Sequence, residues 1–263
     1  MNYLNVENIS KSYGELSLFE NLSFSIHKDQ KIAFVAKNGT GKTTILNILS
    51  GKDTPDSGQI IYRKDLRTTF LSQEPVLDQS LTVEETILKS DNPILNVIKT
   101  YHQALENPED SKLYQTTFDD MERYQAWDYE TQYTQILFKL KLENLNQKVS
   151  ALSGGQQKRL ALANTLLSKP DLLILDEPTN HLDFPSVLWL ENRLRGYKES
   201  YVLVTHDRTL LENVCTSVML LQDKKIAYFP CGFKEFEKRR IKMDEKKNKE
   251  IDRFMTVHRN LDP

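Results

Sequence analysis

Apolar and polar residues alternate from Tyr3 to Phe24 around a turn at Gly14, a two-residue period that predicts antiparallel strands with one buried face. Three later stretches lack that alternation. Lys31 to Val35, Leu172 to Leu175 and Tyr201 to Thr205 are near-continuous apolar runs of strand length, the pattern of parallel strands covered on both faces. Thr69 to Glu74 follows a strand pattern, and Ile45 to Leu49 and Trp189 to Gly196 read as helical. Pro75 to Ser150 contains no glycine and is polar with helical spacing, which predicts helices over Pro93–Asn107 and Asp119–Leu142. Trp127, Ile136, Leu137, Leu140 and Leu142 are the expected core positions there. Val218–Leu221 and Ile226–Phe229 read as a hairpin around Asp223-Lys224-Lys225. The expected class is α/β: a parallel-sheet core, an antiparallel β-subdomain from the first strands, and a helical subdomain at about 75–150.

Composition narrows this only a little. With 263 residues, 39% hydrophobic and 27% charged, the chain is an ordinary globular sequence, long enough for one large domain. No apolar run approaches the ~18 residues of a membrane span, and Met1 to Lys11 does not read as a signal peptide. Cys215 and Cys231 lack metal-type spacing and read as reduced thiols, so the expected location is cytoplasmic. Glycine is scarce. Of nine in the chain, four (Gly39, Gly41, Gly154, Gly155) fall in two short loops, which makes those loops informative.

The first loop joins the strand at Lys31–Val35 to the helix at Ile45–Leu49: Ala36-Lys37-Asn38-Gly39-Thr40-Gly41-Lys42-Thr43-Thr44. Such a loop cradles phosphate oxygens with backbone N–H groups at a helix start; Lys42 neutralises β/γ charge and Thr43 reaches Mg²⁺. Ala36 departs from the usual opening glycine. Its methyl group is tolerable at negative φ, whereas positive φ would cost about 1 kcal/mol or more. The second loop, Leu152-Ser153-Gly154-Gly155-Gln156, is a glycine-paired turn before a helical run from Gln157 to Ser168. Downstream, the Leu172–Leu175 strand ends on Asp176 and Glu177, and carboxyl ends of parallel strands are where ligands bind. Asp176 is placed to hold Mg²⁺, and Glu177, expected on the opposite side of the strand, to orient or deprotonate a water. Taken alone, Asp176-Glu177-Pro178 is as readily a turn that caps a strand. His206, at the end of the Tyr201–Thr205 strand, can hydrogen-bond a γ-phosphate and position Glu177 and water, although as a lone histidine it reads more readily as a surface or structurally hydrogen-bonded residue.

These pieces, in this order, resemble the ATP-binding-cassette (ABC) ATPases, and Glu177-Pro178-Thr179-Asn180-His181-Leu182-Asp183 is similar to the ABC-F branch, with LSGGQQKR most like its Uup-type members. The likeness covers roughly Tyr3 to Gly232, with a trace of the inter-cassette linker after it. It implies the phosphate-loop NTPase fold of an ABC nucleotide-binding domain over 1–233, with ATP and Mg²⁺ as ligands and ATP hydrolysis as the reaction. On that resemblance Tyr13 stacks on adenine, although a strand-end aromatic packed on the sheet is the plain alternative. Asn38, Gly39, Thr40, Gly41, Lys42, Thr43 and Thr44 bind the phosphates. Gln73 is the Q-loop amide that ligates Mg²⁺ with Thr43 and Asp176, Glu177 is the base, and His206 is the switch histidine. Ser153, Gly154, Gly155 and Gln156 form the signature that faces an ATP held by a partner cassette, and Asp183 closes the D-loop.

The same resemblance implies a second cassette, because each motif occurs once here. Either the chain is the amino-terminal half of a two-cassette protein, or it pairs with itself. The stretch from Lys234 to Asn260 carries ten Lys and Arg against six Asp and Glu, in a chain of net charge −2. Phe236, Met243, Ile251 and Phe254 recur in it at near-heptad spacing. It reads as a solvated helix, or as the start of the basic inter-cassette linker (234–263) that lies near ribosome-bound transfer RNA in translation-factor members. The helical region would then hold a short version of the arm that touches ribosomal RNA or protein. A ribosome-associated translation factor is the leading expectation; the ATP-binding subunit of a membrane transporter and a DNA-associated Uup-like ATPase are the alternatives.

Overall fold

The structure is a computed structural model that describes residues 1–37, 39–90, 92–107 and 109–243. A six-stranded sheet runs in the order β5 (Thr68–Leu71), β6 (Leu172–Asp176), β7 (Ser200–Val204), β3 (Lys31–Ala36), β8 (Ser217–Gln222), β9 (Lys225–Phe229). All neighbours are parallel except the β8–β9 hairpin. The apolar runs of β6 and β7 are buried at every position, as strands covered on both faces must be.

Alternate residues of these strands feed two separate cores. Ala33, Leu173, Leu175, Leu203 and Val218 face one way, toward the helical region and α6 (Gly154–Leu167). Ile32, Phe34, Leu172, Ile174, Val202 and Met219 face the other way, where α1 (Lys42–Leu49) buries Ile45, Leu46, Ile48 and Leu49. The second core also takes Val6, Ile9, Phe19 and Leu22 from an antiparallel sheet ordered β2 (Leu16–His27), β1 (Asn2–Tyr13), β4 (Ser57–Tyr62). That sheet matches the expected β-subdomain, with β4 as an edge strand that the sequence pattern did not indicate. At Gly58 (φ +81) a Cβ would lie 2.4 Å from backbone oxygens of Glu7 and Asn8, so β4 can approach β1 only with glycine there.

The helical region holds α2 (Val83–Leu88), α3 (Pro93–Leu105), α4 (Ser111–Arg123) and α5 (Ala126–Lys139). The single helix expected over Asp119–Leu142 is two helices. Gln125 adopts a left-handed conformation (φ +52) that breaks the run between α4 and α5. Ile136, Leu137, Leu140 and Leu142 are buried as expected, while Trp127 is half-buried and packs edge-on against Tyr101. α7 (Phe184–Arg195) and α8 (Arg208–Val214) follow β6 and β7. Residues 233–243 are helical, and Phe236 is fully buried against Phe229 and Phe233. The stretch read as a basic linker therefore begins packed on the domain core. Met243 is exposed, and Ile251 and Phe254 lie outside the described residues.

Candidate functional site

Four parallel strands deliver their following loops to one edge, and there lies a cleft of about 540 Å³. Tyr13, Gly39, Gly41, Lys42, Thr43, Thr44, Gln73, Asp176, Glu177 and His206 all line it, so residues spread over nearly 200 positions of sequence meet in one place. Asn38 lies outside the described residues. Thr40 sits beside the cleft and closes the loop, donating through Oγ1 to the Lys37 carbonyl at 2.7 Å.

The phosphate-loop geometry follows from two glycines. Gly39 has φ +78, and Gly41, with φ +95, is the N-cap of α1 and has no side-chain cap. A Cβ on Gly41 would also press on Leu18 and Phe19 at 3.3 Å. Gly41 itself thus offers no side-chain acceptor at the start of α1, a helix start of the kind that suits an anion. Ala36 is the last residue of β3, paired with Leu221, and its φ is not positive, so its methyl group carries no strain.

Asp176 ends β6 and is almost fully buried. Burial and the neighbouring Glu177 push its carboxyl above the usual carboxylate range, against the pull of Lys42 and a hydrogen bond with Thr43. Its Oδ2 is buried without a hydrogen-bond partner, in a cleft wall that also holds the Thr43 hydroxyl. A buried carboxylate oxygen in that state is suited to a cation.

Glu177 departs from the strand alternation. It takes a left-handed conformation (φ +50) while its N–H is held by the Val204 carbonyl at 2.8 Å. The turn brings its carboxylate back to the cleft beside Asp176 rather than to the opposite side. His206 approaches it from β7's end: the ring Nε2 is 3.5 Å from Oε1, and the His206 backbone N–H donates to Oε2 at 3.3 Å. The Glu177 side chain is 9% exposed and that of His206 is 73% exposed, so a fixed carboxylate is paired with a ring at the mouth.

Tyr13 is 56% exposed, with its hydroxyl donating to Asp53 at 3.3 Å and the Lys11 ammonium 5.7 Å from its ring. A tyrosine packed into the sheet would be covered; this one presents a ring to the cleft. Asn180 and Leu18 also line the cleft and were not singled out in the sequence. Asn180 carries a weak signal, since its N–H bonds the Glu177 carbonyl at 3.2 Å and so the turn that starts at Glu177 carries it round to the site.

The signature residues are not in this cleft. Ser153 caps α6, accepting from the Gln156 N–H at 3.3 Å, and the Gln156 side chain accepts from the Ser153 N–H at 2.9 Å. Ser153 and Gly154 face outward. Asp183 is likewise a cap, accepting from Ser186 at the start of α7 and pairing with Lys141 at 2.5 Å. The Lys141 ammonium is the largest cause that holds its carboxyl down at about 2.

A family model described as "ABC transporter" matches residues 19–180, which spans the cleft loop, the signature turn and the Asp176–Glu177 pair. The chain belongs to the ATP-binding-cassette family. Cassettes of this family bind ATP with Mg²⁺ and hydrolyse it. The chain is 35% identical to the "Uncharacterized ABC transporter ATP-binding protein YfmR" of Bacillus subtilis, over 99% of this chain and 43% of that protein. It is 33% identical to the "Energy-dependent translational throttle protein EttA" of Mycobacterium tuberculosis, over 85% of this chain and 41% of that one. The chain thus spans less than half the length of these curated relatives, and a 35% identity to "ABC transporter F family member 2" of Arabidopsis thaliana, over 81% of this chain and 34% of that protein, bears out the likeness to the F branch. Among solved structures, a dimeric post-hydrolysis cassette, MJ0796 bound to ADP and Pi, superposes with TM-score 0.61 at 23% identity over 86% of this chain and 98% of that one, which supports the fold. Among the described residues no helix is long and apolar enough to cross a membrane.

Proposed function

We propose that this chain is an ATP-hydrolysing cassette of an F-type protein that works on the ribosome, closing against a second cassette on ATP and opening after hydrolysis. The observation that carries the hydrolytic part is the unpartnered, buried Oδ2 of Asp176 beside a Glu177 carboxylate held by His206. The residues fit the ligands. Gly39, Thr40, Gly41, Lys42 and Thr44 surround the start of α1 for the phosphates, and Asp176, Thr43 and Gln73 would hold Mg²⁺. When bound, the ion neutralises charge on the phosphate oxygens. Glu177 accepts the proton of the attacking water, His206 keeps that carboxylate aimed and contacts the γ-phosphate, and Tyr13 offers a ring for the base. The products are ADP and phosphate.

Ser153, Gly154, Gly155 and Gln156 serve the other nucleotide. Their capping box is complete within the chain and still leaves the exposed start of α6 for an anion held by a second cassette's Lys42. Asp183, fixed as a cap, belongs to the same face. The region from 234 onward is assigned as the start of the inter-cassette linker, and a ribosomal target is supported by the name of the relative EttA and by the basic character of that region. The test is co-sedimentation of Glu177→Gln with ribosomes on a sucrose gradient, with and without Mg-ATP. ATP-dependent migration with ribosomes is expected. Migration free of ribosomes at dimer size would keep the cassette reading and remove the ribosome from it.

A further inference from the structure

A second cleft, of about 450 Å³, opens at the amino ends of β5, β6 and β7. It is at the far side of the sheet from the nucleotide cleft: from Asp171 to Asp176 along β6 is about 16 Å. Arg67, Lys169, Arg193 and Lys198 line it against Asp171 and Glu199. One of those two carboxylates is already neutralised. Asp171 pairs with Arg63 at 3.2 Å and accepts the Arg67 backbone N–H at 3.0 Å.

Four cations line the cleft against one remaining carboxylate, Glu199. Arg67 is fixed by the Lys169 carbonyl at 3.1 Å, and Lys169, in a left-handed turn (φ +44), lays its ammonium 4.1 Å from the ring of Tyr129. Arg193 has a buried Nε with no hydrogen-bond partner, and among the described residues neither it nor Lys169 forms an ion pair within 4 Å. The Lys169 ammonium is pushed below its ordinary range, first by burial and then by Arg193. Positions after α6 and in the last turn of α7 favour cations through the helix dipoles. That preference explains a positive charge at each helix end. It does not explain why Arg193 and Lys169 line one cavity together with Arg67 and Lys198.

We infer that this cleft is an anion site for a phosphate group, with the Arg193 guanidinium, the Lys169 ammonium and the Lys198 ammonium as its donors. Phosphate is the chemistry that fits several cationic donors converging on one cavity. The site is independent of the nucleotide cleft and of the ribosomal reading. A free phosphomonoester and the backbone of a nucleic-acid strand would both present the required group.

The test uses the full chain with Lys42→Ala, so that the phosphate loop does not report. Inorganic phosphate is titrated while the arginine Nε–H resonances are followed by NMR. A saturable shift confined to the Arg193 resonance is expected, and Lys169→Met should weaken the apparent affinity by about tenfold. Thermal unfolding supplies the control for a purely structural role. In phosphate-free buffer Arg193→Gln should hold or raise Tm and lose the Tm gain that phosphate gives the parent. A lowered Tm with the phosphate response intact, or no Arg193 shift, would overturn the site. A single-stranded RNA oligonucleotide that displaces phosphate would identify a strand as the source; displacement by glycerol phosphate alone would identify a small phosphomonoester.

Discussion

The two glycine-paired loops look alike in the sequence, yet they differ in what they leave undone. At the phosphate loop the chain is incomplete by itself: Gly41 caps α1 with no side chain, Asp176 has an orphan oxygen, and Glu177 is held in a left-handed turn. At the signature the helix start is capped internally, through the Ser153–Gln156 capping box, and Asp183 caps α7 with Lys141 as its partner. An unsatisfied carboxylate oxygen in a cleft wall costs folding free energy that a ligand can offset. Satisfied groups beside an outward-facing helix start mark what the chain presents to something else. On the proposed function, one loop is a receiver and the other a donor.

The sharpest break of that comparison comes at the receiving end. Glu177→Gln keeps size and a hydrogen-bond acceptor but removes the base. ATP turnover should fall by about 10²-fold or more, while ATP binding persists and the closed pair accumulates. Measured turnover within a factor of two of the parent would remove Glu177 from the reaction. The donor end gives the next largest effect. Gly154 has open space around its Cβ position, and an acidic residue suits the first turn of α6, so Gly154→Asp should fold with an unchanged Tm. A carboxylate there would repel a partner's ATP. Turnover should drop at least about tenfold and cease to rise with protein concentration, while ATP binding by the single chain is unaltered; weakened single-chain binding would place Gly154 in the wrong site.

A smaller effect separates the capping role of Ser153 from its contact role. Ser153→Ala removes the acceptor for the Gln156 N–H and should destabilise the chain by about 1 kcal/mol, read by denaturant unfolding without nucleotide. Ser153→Asp restores the cap but puts a charge toward the partner's ATP, so stability should return while turnover does not. Recovery of both would make Ser153 a structural cap and nothing more.

Much of the receiving end was legible because its determinants are local. A buried strand, a glycine-spaced loop and a helix start follow one another between Lys31 and Leu49, and Asp176 ends an apolar run. Elsewhere the determinants lie far away in sequence or in single backbone angles. β4 is an exposed edge strand that exists by pairing with β1, some fifty residues earlier, and its own pattern shows no buried position. The break between α4 and α5 rests on one left-handed glutamine, and the return of Glu177 to the cleft rests on one left-handed glutamate. Neither residue type announces that conformation. Asp183 was legible as a family position, whereas its Lys141 partner, on the turn after α5, was not.

That pair gives the subtlest test, because it concerns how firmly the donor face is held. The Asp183 carboxyl is held down at about 2, with Lys141 as the first cause and Ser186 next. A carboxyl whose folded value is depressed contributes stability that is present above its unfolded value and is lost as pH falls toward the folded one. The window is therefore from about 4 down to about 2. Lys141→Gln leaves the cap intact and removes the first cause. Because the pair is exposed, Tm at pH 7 should change little. In acid the difference should appear as a shallower loss of stability through that window, with the Asp183 carboxyl titrating closer to the ordinary range by NMR. Turnover should fall only slightly, since the cap still orients the start of α7. An unchanged Asp183 titration would mean that the cap alone sets its charge, and the donor face would then owe nothing to the helical region that Lys141 borders.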